Sequence, residues 1–251
     1  MFDELSSLWS TPGLIFLGVA ALVAGVVRGF AGFGTAMVYM PVAATILPPV
    51  EALTTLVVKD LIAPLIHVPR AIRDGHPRDV LRLALGAALA VPLGVYVLTL
   101  ASPELFRYGV SLLALALLVA LMAGIRYRGK LTPPIIYGTG ALGGFLGGSV
   151  GIPGPPVIMI YMASTLPSTA IRANNTLYLI LADVILLTVF LIKGIFVPGV
   201  ALLGLMLVLP YLAGNWVGAA LFRPGHEVLY RRVAYVIIAV SALYGLPLWG
   251  G

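Results

Sequence analysis

Two long apolar segments of this chain are each interrupted near the middle by the same glycine-rich motif. The first copy reads GVVRGFAGFGTA over residues 25–36, and the second reads GFLGGSVGIPGPP over residues 144–156, an offset of 119 residues. Each glycine inside a helix costs about 1 kcal/mol relative to alanine. A broken helix is tolerated in a membrane only where its freed backbone is covered by protein or lines a watery cavity. Matching breaks in two halves of a chain are the best sequence indication of a transporter's binding site.

The composition is that of an integral membrane protein. Of the 251 residues, 61% are hydrophobic and 10% are charged, whereas a soluble domain carries roughly 25% charged residues. The apolar runs are long and continuous and do not alternate, so the membrane-spanning segments are predicted to be helices. The formal net charge is +6. In a chain this apolar, Lys and Arg residues mainly set the orientation in the membrane, so no nucleic-acid partner is expected.

The cysteine and histidine content argues against cofactor chemistry. The chain has no cysteine, which excludes disulfides, iron–sulfur clusters and a thiol relay. His67, His76 and His226 show no metal-ligand spacing, so neither a metal nor another cofactor is expected. Asp3 and Glu4 stand where a signal peptide would carry positive charge, and the first apolar segment is therefore expected to be retained.

The chain is predicted to consist of two homologous halves, residues 1–125 and 126–251, that form one integral membrane domain. Each half has one glycine-broken segment and three further apolar segments. The broken segments span residues 13–47 and 133–166, and the others span residues 50–69, 80–101, 104–125, 168–193, 198–222 and 227–249. As one straight helix, the first broken segment would extend roughly 52 Å against a hydrocarbon core of about 30 Å. The break must therefore divide it, and Thr35 is expected to cap the second piece.

Two topologies compete for this plan. If every segment crosses the membrane once, the Lys and Arg residues outside it divide fairly evenly between the two sides. If each broken segment is a re-entrant hairpin, all of them except Arg107 and Lys193 fall on one side. The positive-inside rule prefers the second arrangement. The predicted fold is therefore an all-α polytopic membrane protein with inverted repeats, each a re-entrant segment plus three transmembrane helices.

The glycine breaks are the first candidates for a binding site. Half-helix ends at a break present backbone N–H groups and positive dipole ends that suit an anion. The alternative is close helix packing, which motifs such as GxxxG provide in membranes. We interpret the GxxxG portions as packing motifs and the residues that follow as substrate-binding. Those residues are Gly32, Gly34, Thr35, Gly151 and Gly154.

Four charged residues lie well inside the predicted membrane segments, away from their ends: Arg28, Lys59, Asp60 and Asp183. A charge at the centre of a bilayer costs roughly 2.5–3.5 kcal/mol on insertion scales, so it usually has a partner or a function. These residues could form structural ion pairs. Alternatively, Arg28 or Lys59 supplies the counter-charge of an anionic substrate, and Asp60 or Asp183 couples transport to a proton or a sodium ion. Lys59 and Asp60 are adjacent and point about 100° apart on a helix, so they cannot both face one narrow site squarely.

Uncharged polar residues occupy matching positions in the two halves. Asn174 and Asn175 lie near the start of the sixth segment, and Thr55 lies 119 residues before Asn174. Amides and hydroxyls can bind an oxyanion, and they also form hydrogen bonds between transmembrane helices. All three residues are therefore candidates for substrate binding, with interhelical bonding as the alternative.

One catalytic motif occurs in the second broken segment. Residues 147–151 match G-x-S-x-G, the nucleophile elbow of α/β-hydrolases, which requires a strand before the serine and a helix after it. Here an apolar membrane segment precedes Ser149. A serine hydrolase using Ser149 is thus a disfavoured alternative, and the chain is not expected to be an enzyme.

The two glycine motifs resemble those of a known family. GVVRGFAGFG at residues 25–34, followed by Pro41, and GFLGGSVGIPG at residues 144–154 are similar to the motifs of the sulfite exporter TauE/SafE family of membrane permeases. The likeness covers nearly the whole chain, in length, in the two similar halves, in the number of helices and in the basic centre. It implies a secondary transporter in the cytoplasmic membrane of a bacterium or archaeon. The implied cargo is a small sulfur-containing or organic anion, such as sulfite or sulfoacetate, and the implied direction is export.

The chain departs from the family's glycine-rich pattern at Thr35, Ala36, Pro153 and Pro155. Because these positions belong to the expected site, the substrate can differ from sulfite. We expect a site at the interface of the two halves and alternating access. Since no ATPase motif is present, we also expect coupling to a proton or sodium gradient. An uncoupled anion channel of the same fold is the alternative, and a homodimer is left open.

Overall fold

A computed structural model describes residues 13–65, 68–124, 127, 129, 131–161, 164, 166–222 and 226–248. All regular structure in these ranges is helical, which confirms the predicted all-α class. Asp3, Glu4 and His67 lie outside the described residues, and so does part of the basic linker between the predicted halves.

The described residues form twelve helices. They are α1 (Leu14–Ala31), α2 (Thr35–Ala43), α3 (Pro49–Ile62), α4 (Val68–Asp74), α5 (Pro77–Leu100), α6 (Pro103–Met122), α7 (Pro133–Val150), α8 (Gly154–Tyr161), α9 (Ser168–Ile192), α10 (Pro198–Met206), α11 (Val208–Leu221) and α12 (Glu227–Gly245). Six stretches of the described chain are long and apolar enough to cross a membrane: Leu14–Ala31, Pro77–Leu100, Pro103–Met122, Thr169–Ile192, Pro198–Leu221 and Val228–Gly245. These lengths and compositions are those of a polytopic membrane protein.

Both glycine-rich motifs break their helices at corresponding residues. Helix α1 ends at Ala31 and α2 begins at Thr35, while α7 ends at Val150 and α8 begins at Gly154. The first residue after each broken helix is a glycine with a left-handed backbone, Gly32 at φ 78° and Gly151 at φ 76°. This conformation costs other L-residues roughly 1–2 kcal/mol. The predicted breaks are therefore confirmed.

The residue that caps helix α2 is Gly34, one residue before the predicted cap Thr35. Gly34, at φ 94°, occupies the N-cap position, and Thr35 is already the first helical residue. The predicted capping role of Thr35 is thus wrong, because the left-handed turn that restarts the chain needs a glycine at the cap itself. The Thr35 hydroxyl makes no capping hydrogen bond to α2.

The described chain divides into two compact units, each built from both halves of the sequence. The first unit comprises the described residues up to Lys59, Ser102–Leu115, and those from Val197 onward; the second comprises Asp60–Ala101 and Ala116–Phe196. In the first unit α1 packs along α11, and in the second unit α7 packs along α5. Each broken segment thus packs on a helix from the other half of the sequence. The division at residue 125 stays a prediction about the repeat.

The GxxxG residues of α1 form the contact with α11 in the first unit. A Cβ atom added to Gly25 would lie 2.9 Å from the backbone nitrogen of Asn215, and one added to Gly29 would lie 2.7 Å from that of Ala219. From the other side, Gly214 faces the backbone of α1, where its added Cβ would lie 3.0 Å from the nitrogen of Val26. Such distances leave no room for any side chain, so these glycines serve close packing.

The second unit repeats this contact between α7 and α5. A Cβ atom on Gly144 would lie 2.5 Å from the Cα atom of Ala87, and one on Gly148 would lie 2.6 Å from the carbonyl oxygen of Val91. Gly94 of α5 faces the backbone of α7, and a Cβ atom added to it would lie 2.9 Å from the backbone nitrogen of Ser149. The interpretation of the GxxxG portions as packing motifs therefore agrees with both units.

Candidate substrate-binding regions

The charged centre of the first unit is Lys59 of α3, which is completely buried, with 0% of its surface exposed. Its Nζ atom lies 4.4 Å from the ring centroid of Tyr211 on α11 and 5.1 Å from that of Tyr39 on α2. A cation within about 6 Å of an aromatic ring is attracted by the ring's quadrupole, most strongly where water is absent. Two tyrosine rings therefore stabilise the buried ammonium group of Lys59.

Hydrogen bonds connect Tyr39 to Thr55 of α3. The Thr55 hydroxyl donates to the carbonyl of Ala52 at 2.8 Å, and its oxygen lies 2.8 Å from the Tyr39 hydroxyl oxygen. Because the single Thr55 proton is used in the first bond, Tyr39 must be the donor in the second. Thr55 is fully buried, and in this arrangement it orients the phenol of Tyr39.

The break in the first unit lies one helical turn before Tyr39. Thr35 is 5% exposed, and its hydroxyl oxygen has no hydrogen-bond partner within the described part of the chain. Thr35 and Tyr39 are four residues apart on α2, so their side chains share one face of the helix. The first unit thus brings Thr35, Thr55 and Lys59 together around Tyr39.

The other residues predicted for the site in the first half of the sequence are Arg28, Gly32, Gly34 and Asp60. Gly34 packs against Val27 and Ile238, and Gly32 donates its N–H to the carbonyl of Arg28 at 2.9 Å. Arg28 itself is half-buried at the end of α1. Asp60, which follows Lys59, is also half-buried.

In the second unit the predicted amides Asn174 and Asn175 are buried, at 0% and 5% exposure. The side-chain oxygen of Asn174 accepts a hydrogen bond from the backbone N–H of His76 at 2.6 Å. Its Nδ2 atom has no partner among the described residues, and neither has the side-chain oxygen of Asn175. Both glycines predicted for this region, Gly151 and Gly154, are buried at the break.

Two tyrosines of the second unit were missed from the sequence. Tyr161, at the end of α8, and Tyr178, on α9, are completely buried, and in the described part of the chain neither hydroxyl has a hydrogen-bond partner. The Asn174 amide lies near the Tyr161 phenol. Tyr178 lies 119 residues after Lys59, so the repeat itself pointed to this position. Tyr39 and Tyr211 were also missed, and no sequence feature pairs them with Lys59.

Two further predictions concern single side chains. Asp183, predicted as an ion-coupling residue, is 6% exposed on α9 and lies close enough to Tyr178 for its charge to act on the phenol. The Ser149 hydroxyl donates to the carbonyl of Phe145, one turn earlier on α7, at 2.7 Å. Within the described ranges no group of three or more His, Cys, Asp or Glu residues could hold a metal ion.

Comparison with known proteins identifies the family. A family model described as Sulfite exporter TauE/SafE matches residues 17–245, nearly the whole chain. No curated protein and no solved structure matches the chain significantly. The match covers both glycine motifs, nearly all of both units and all the candidate residues described above. Together with the six stretches able to cross a bilayer, it shows that this chain is a multi-pass membrane protein that belongs to the sulfite exporter TauE/SafE family.

Proposed function

We propose that this protein is a secondary transporter that exports a small sulfur-containing oxyanion or organosulfonate, and that Lys59 provides the charge that binds it. The family supplies the class of activity. The burial of Lys59 is the observation that carries the proposal, because a fully buried cation in a membrane protein usually has a functional reason. We assign the protein to the cytoplasmic membrane.

The aromatic surroundings of Lys59 suit a transport site. Rings of Tyr39 and Tyr211 attract the ammonium through their faces and carry no formal charge of their own. We assign the binding of the anionic substrate to this ammonium group. A moderate attraction of this kind allows the anion to bind and to leave, as transport requires.

The start of helix α2 adds backbone donors to the first unit. The first intrahelical bond runs from the N–H of Val38 to the carbonyl of Gly34. The N–H groups of the three preceding helical residues are the donors that a helix start leaves unpaired, and the helix dipole adds positive potential there. Helix α8 offers fewer, because its second and third residues are Pro155 and Pro156, which have no N–H. The first break is therefore the better anion site.

Transport then requires a moving element and an energy source. We assign the movement to alternating access, the usual behaviour of transporters with broken helices in both repeats. Asp60 or Asp183 is the proposed site of proton or sodium coupling, since both are acidic residues in apolar helices.

The test is efflux of sulfite from proteoliposomes containing wild-type protein, Lys59→Gln or Lys193→Gln. Lys193 is the matched control, because it is exposed at the end of α9. We expect saturable efflux from wild type and from the control, and a rate at least about tenfold lower for Lys59→Gln. Efflux from Lys59→Gln at the wild-type rate would refute the assignment of Lys59. Large electrical currents without saturation would instead identify an uncoupled channel.

A further inference from the structure

Four exposed arginines gather where helices α4, α5 and α9 of the second unit meet. We name Arg70, Arg73, Arg78 and Arg172 the arginine patch. Arg70 and Arg73 lie on α4, with 77% and 79% of their side chains exposed. Arg78 and Arg172 are exposed near the starts of α5 and α9. None of the four belongs to the candidate transport residues, so the patch is a separate surface.

Gly75, in the turn between α4 and α5, brings the members of the patch together. A Cβ atom added to Gly75 would lie 3.4 Å from the Cβ atom of Ala173, the residue that follows Arg172. Successive Cα atoms are about 3.8 Å apart. The Cα atoms of Arg73, Arg78 and Arg172 therefore all lie within about 12 Å of that of Gly75. The patch is thus one surface to which three helices contribute.

The patch carries more positive than negative charge. The Asp74 carboxylate lies 3.3 Å from Arg70 and 3.4 Å from Arg73, so one acidic group is shared by two guanidinium groups. The other carboxylate of this region, that of Asp79, is paired with Arg82 at 2.9 Å. Exposed ion pairs such as those of Asp74 are weak. The chemistry of the surface therefore suits an anionic partner.

A row of apolar side chains on α5 begins directly beside the patch. Leu81, Leu85 and Leu89 are 57%, 48% and 84% exposed, and their spacing of four residues puts them on one face of the helix. Arg78 precedes Leu81 by three residues and so lies at the end of the same row. Helix α5 is long and apolar enough to cross a membrane. Leucines along such a face contact lipid chains, and an arginine at its end reaches the level of the headgroups.

We propose that the arginine patch binds the headgroup phosphate of an anionic phospholipid, whose acyl chains lie along the leucine row of α5. Guanidinium groups form paired hydrogen bonds with phosphate oxygens, and basic clusters beside a membrane-spanning helix attract anionic lipids. The leucine row favours a lipid over a dissolved phosphate. The positive-inside rule assigns the patch to the cytoplasmic side, where the membrane surface is negative. The proposal does not depend on the identity of the transported anion.

The test is native mass spectrometry of the purified full chain in micelles that contain equal amounts of phosphatidylglycerol and phosphatidylcholine. Each arginine near an anionic surface strengthens binding by about fivefold. Wild type is therefore expected to retain phosphatidylglycerol over phosphatidylcholine by about tenfold or more. The double variant Arg73→Gln with Arg78→Gln should lower this preference by at least about fivefold. Both side chains are exposed, so the variant is expected to fold.

The matched control is Arg231→Gln with Arg232→Gln, which removes the same charge from an exposed pair at the start of α12. The control is expected to keep the wild-type preference. If it loses as much preference as the patch variant, any arginine at the membrane surface serves equally well and the proposal fails. The proposal also fails if wild type does not prefer phosphatidylglycerol, or if the patch variant keeps the full preference.

A second measurement separates a lipid from a dissolved anion. The melting temperature in phosphatidylcholine micelles is recorded with added dioctanoyl phosphatidylglycerol or with glycerophosphoglycerol, the same headgroup without acyl chains. A ligand that binds the folded state raises the melting temperature. We expect the lipid to raise it for wild type and not for the patch variant, and glycerophosphoglycerol at the same concentration to leave it unchanged. Equal shifts from both compounds would identify a site for soluble anions and overturn the assignment to lipid.

Discussion

Lys59 and Tyr178 are separated by the same 119 residues as the two glycine motifs, and both side chains are completely buried. Helix α3 begins at Pro49 and α9 begins at Ser168, so each residue lies ten positions after the start of its helix. The two corresponding positions therefore present a cation in one unit and a phenol in the other.

Replacing Gly25 by alanine is expected to destabilise the protein. The new methyl group would collide with the backbone of α11 near Tyr211 and Asn215, and overpacking of this kind costs about 1–3 kcal/mol. Gly18→Ala on the same helix is the matched control, because a Cβ there meets no atom within 4 Å. The melting temperature in detergent should fall for Gly25→Ala and stay equal or rise for Gly18→Ala. Equal melting temperatures for the two variants would contradict the packing assignment.

The left-handed backbone at the second break should make Gly151 difficult to replace. Gly151→Ala forces an alanine to φ 76°, at a cost of roughly 1–2 kcal/mol. Gly151→Asn should be less harmful, since asparagine adopts this region more readily. Thermal unfolding of both variants checks the order, with Gly199→Ala as a control whose added Cβ meets no atom within 4 Å. If Gly151→Asn and Gly151→Ala lower the melting temperature equally, backbone strain is not the cause of the destabilisation.

The ring of Tyr211 is expected to matter to Lys59 more than its hydroxyl does. Tyr211→Phe keeps an aromatic face 4.4 Å from the ammonium, whereas Tyr211→Leu removes it and loses about 0.5–2 kcal/mol of cation–π attraction. Sulfite efflux from proteoliposomes should therefore be nearly normal in the phenylalanine variant and lower in the leucine variant. Similar efflux rates in the two variants would mean that the ring face does not support Lys59.

The hydrogen bond between His76 and Asn174 should protect the turn before α5 from exchange. In the wild-type chain the backbone N–H of His76 donates to the side-chain oxygen of Asn174 at 2.6 Å. Asn174→Leu removes this acceptor, and a lost hydrogen bond of this kind is worth about 0.5–1.5 kcal/mol. Amide hydrogen exchange at His76 should then accelerate by up to about tenfold. Asn175→Leu, one residue further along α9, is the control and should leave this amide protected. Unchanged exchange in Asn174→Leu would show that the bond contributes nothing measurable.

Local patterns were sufficient to predict most of the helices and both glycine breaks. Hydropathy depends only on neighbouring residues, so most apolar segments recur in the structure as helices. The predicted span 50–69 is instead the shorter helix α3, the short helix α4 was not predicted, and segment 198–222 is divided between α10 and α11. Glycine at positions such as Gly32 and Gly151 is a local backbone requirement, and the repeat made both breaks recognisable. The burial of Lys59 followed from its place in an apolar run. Thr35 was misassigned as the cap, since its neighbour Gly34 is the residue able to adopt φ 94°.

The partners of these residues are a matter of tertiary packing. Tyr211 reaches Lys59 from a helix 152 positions further along the chain (211 minus 59), and Tyr161 approaches Asn174 only because α8 and α9 pack together. Contacts between distant segments depend on how helices pack, and no periodicity in the sequence specifies that. Position in the repeat and hydropathy therefore predicted which residues are buried in apolar helices. Packing alone decided which rings surround the ammonium and which polar atoms are left without partners.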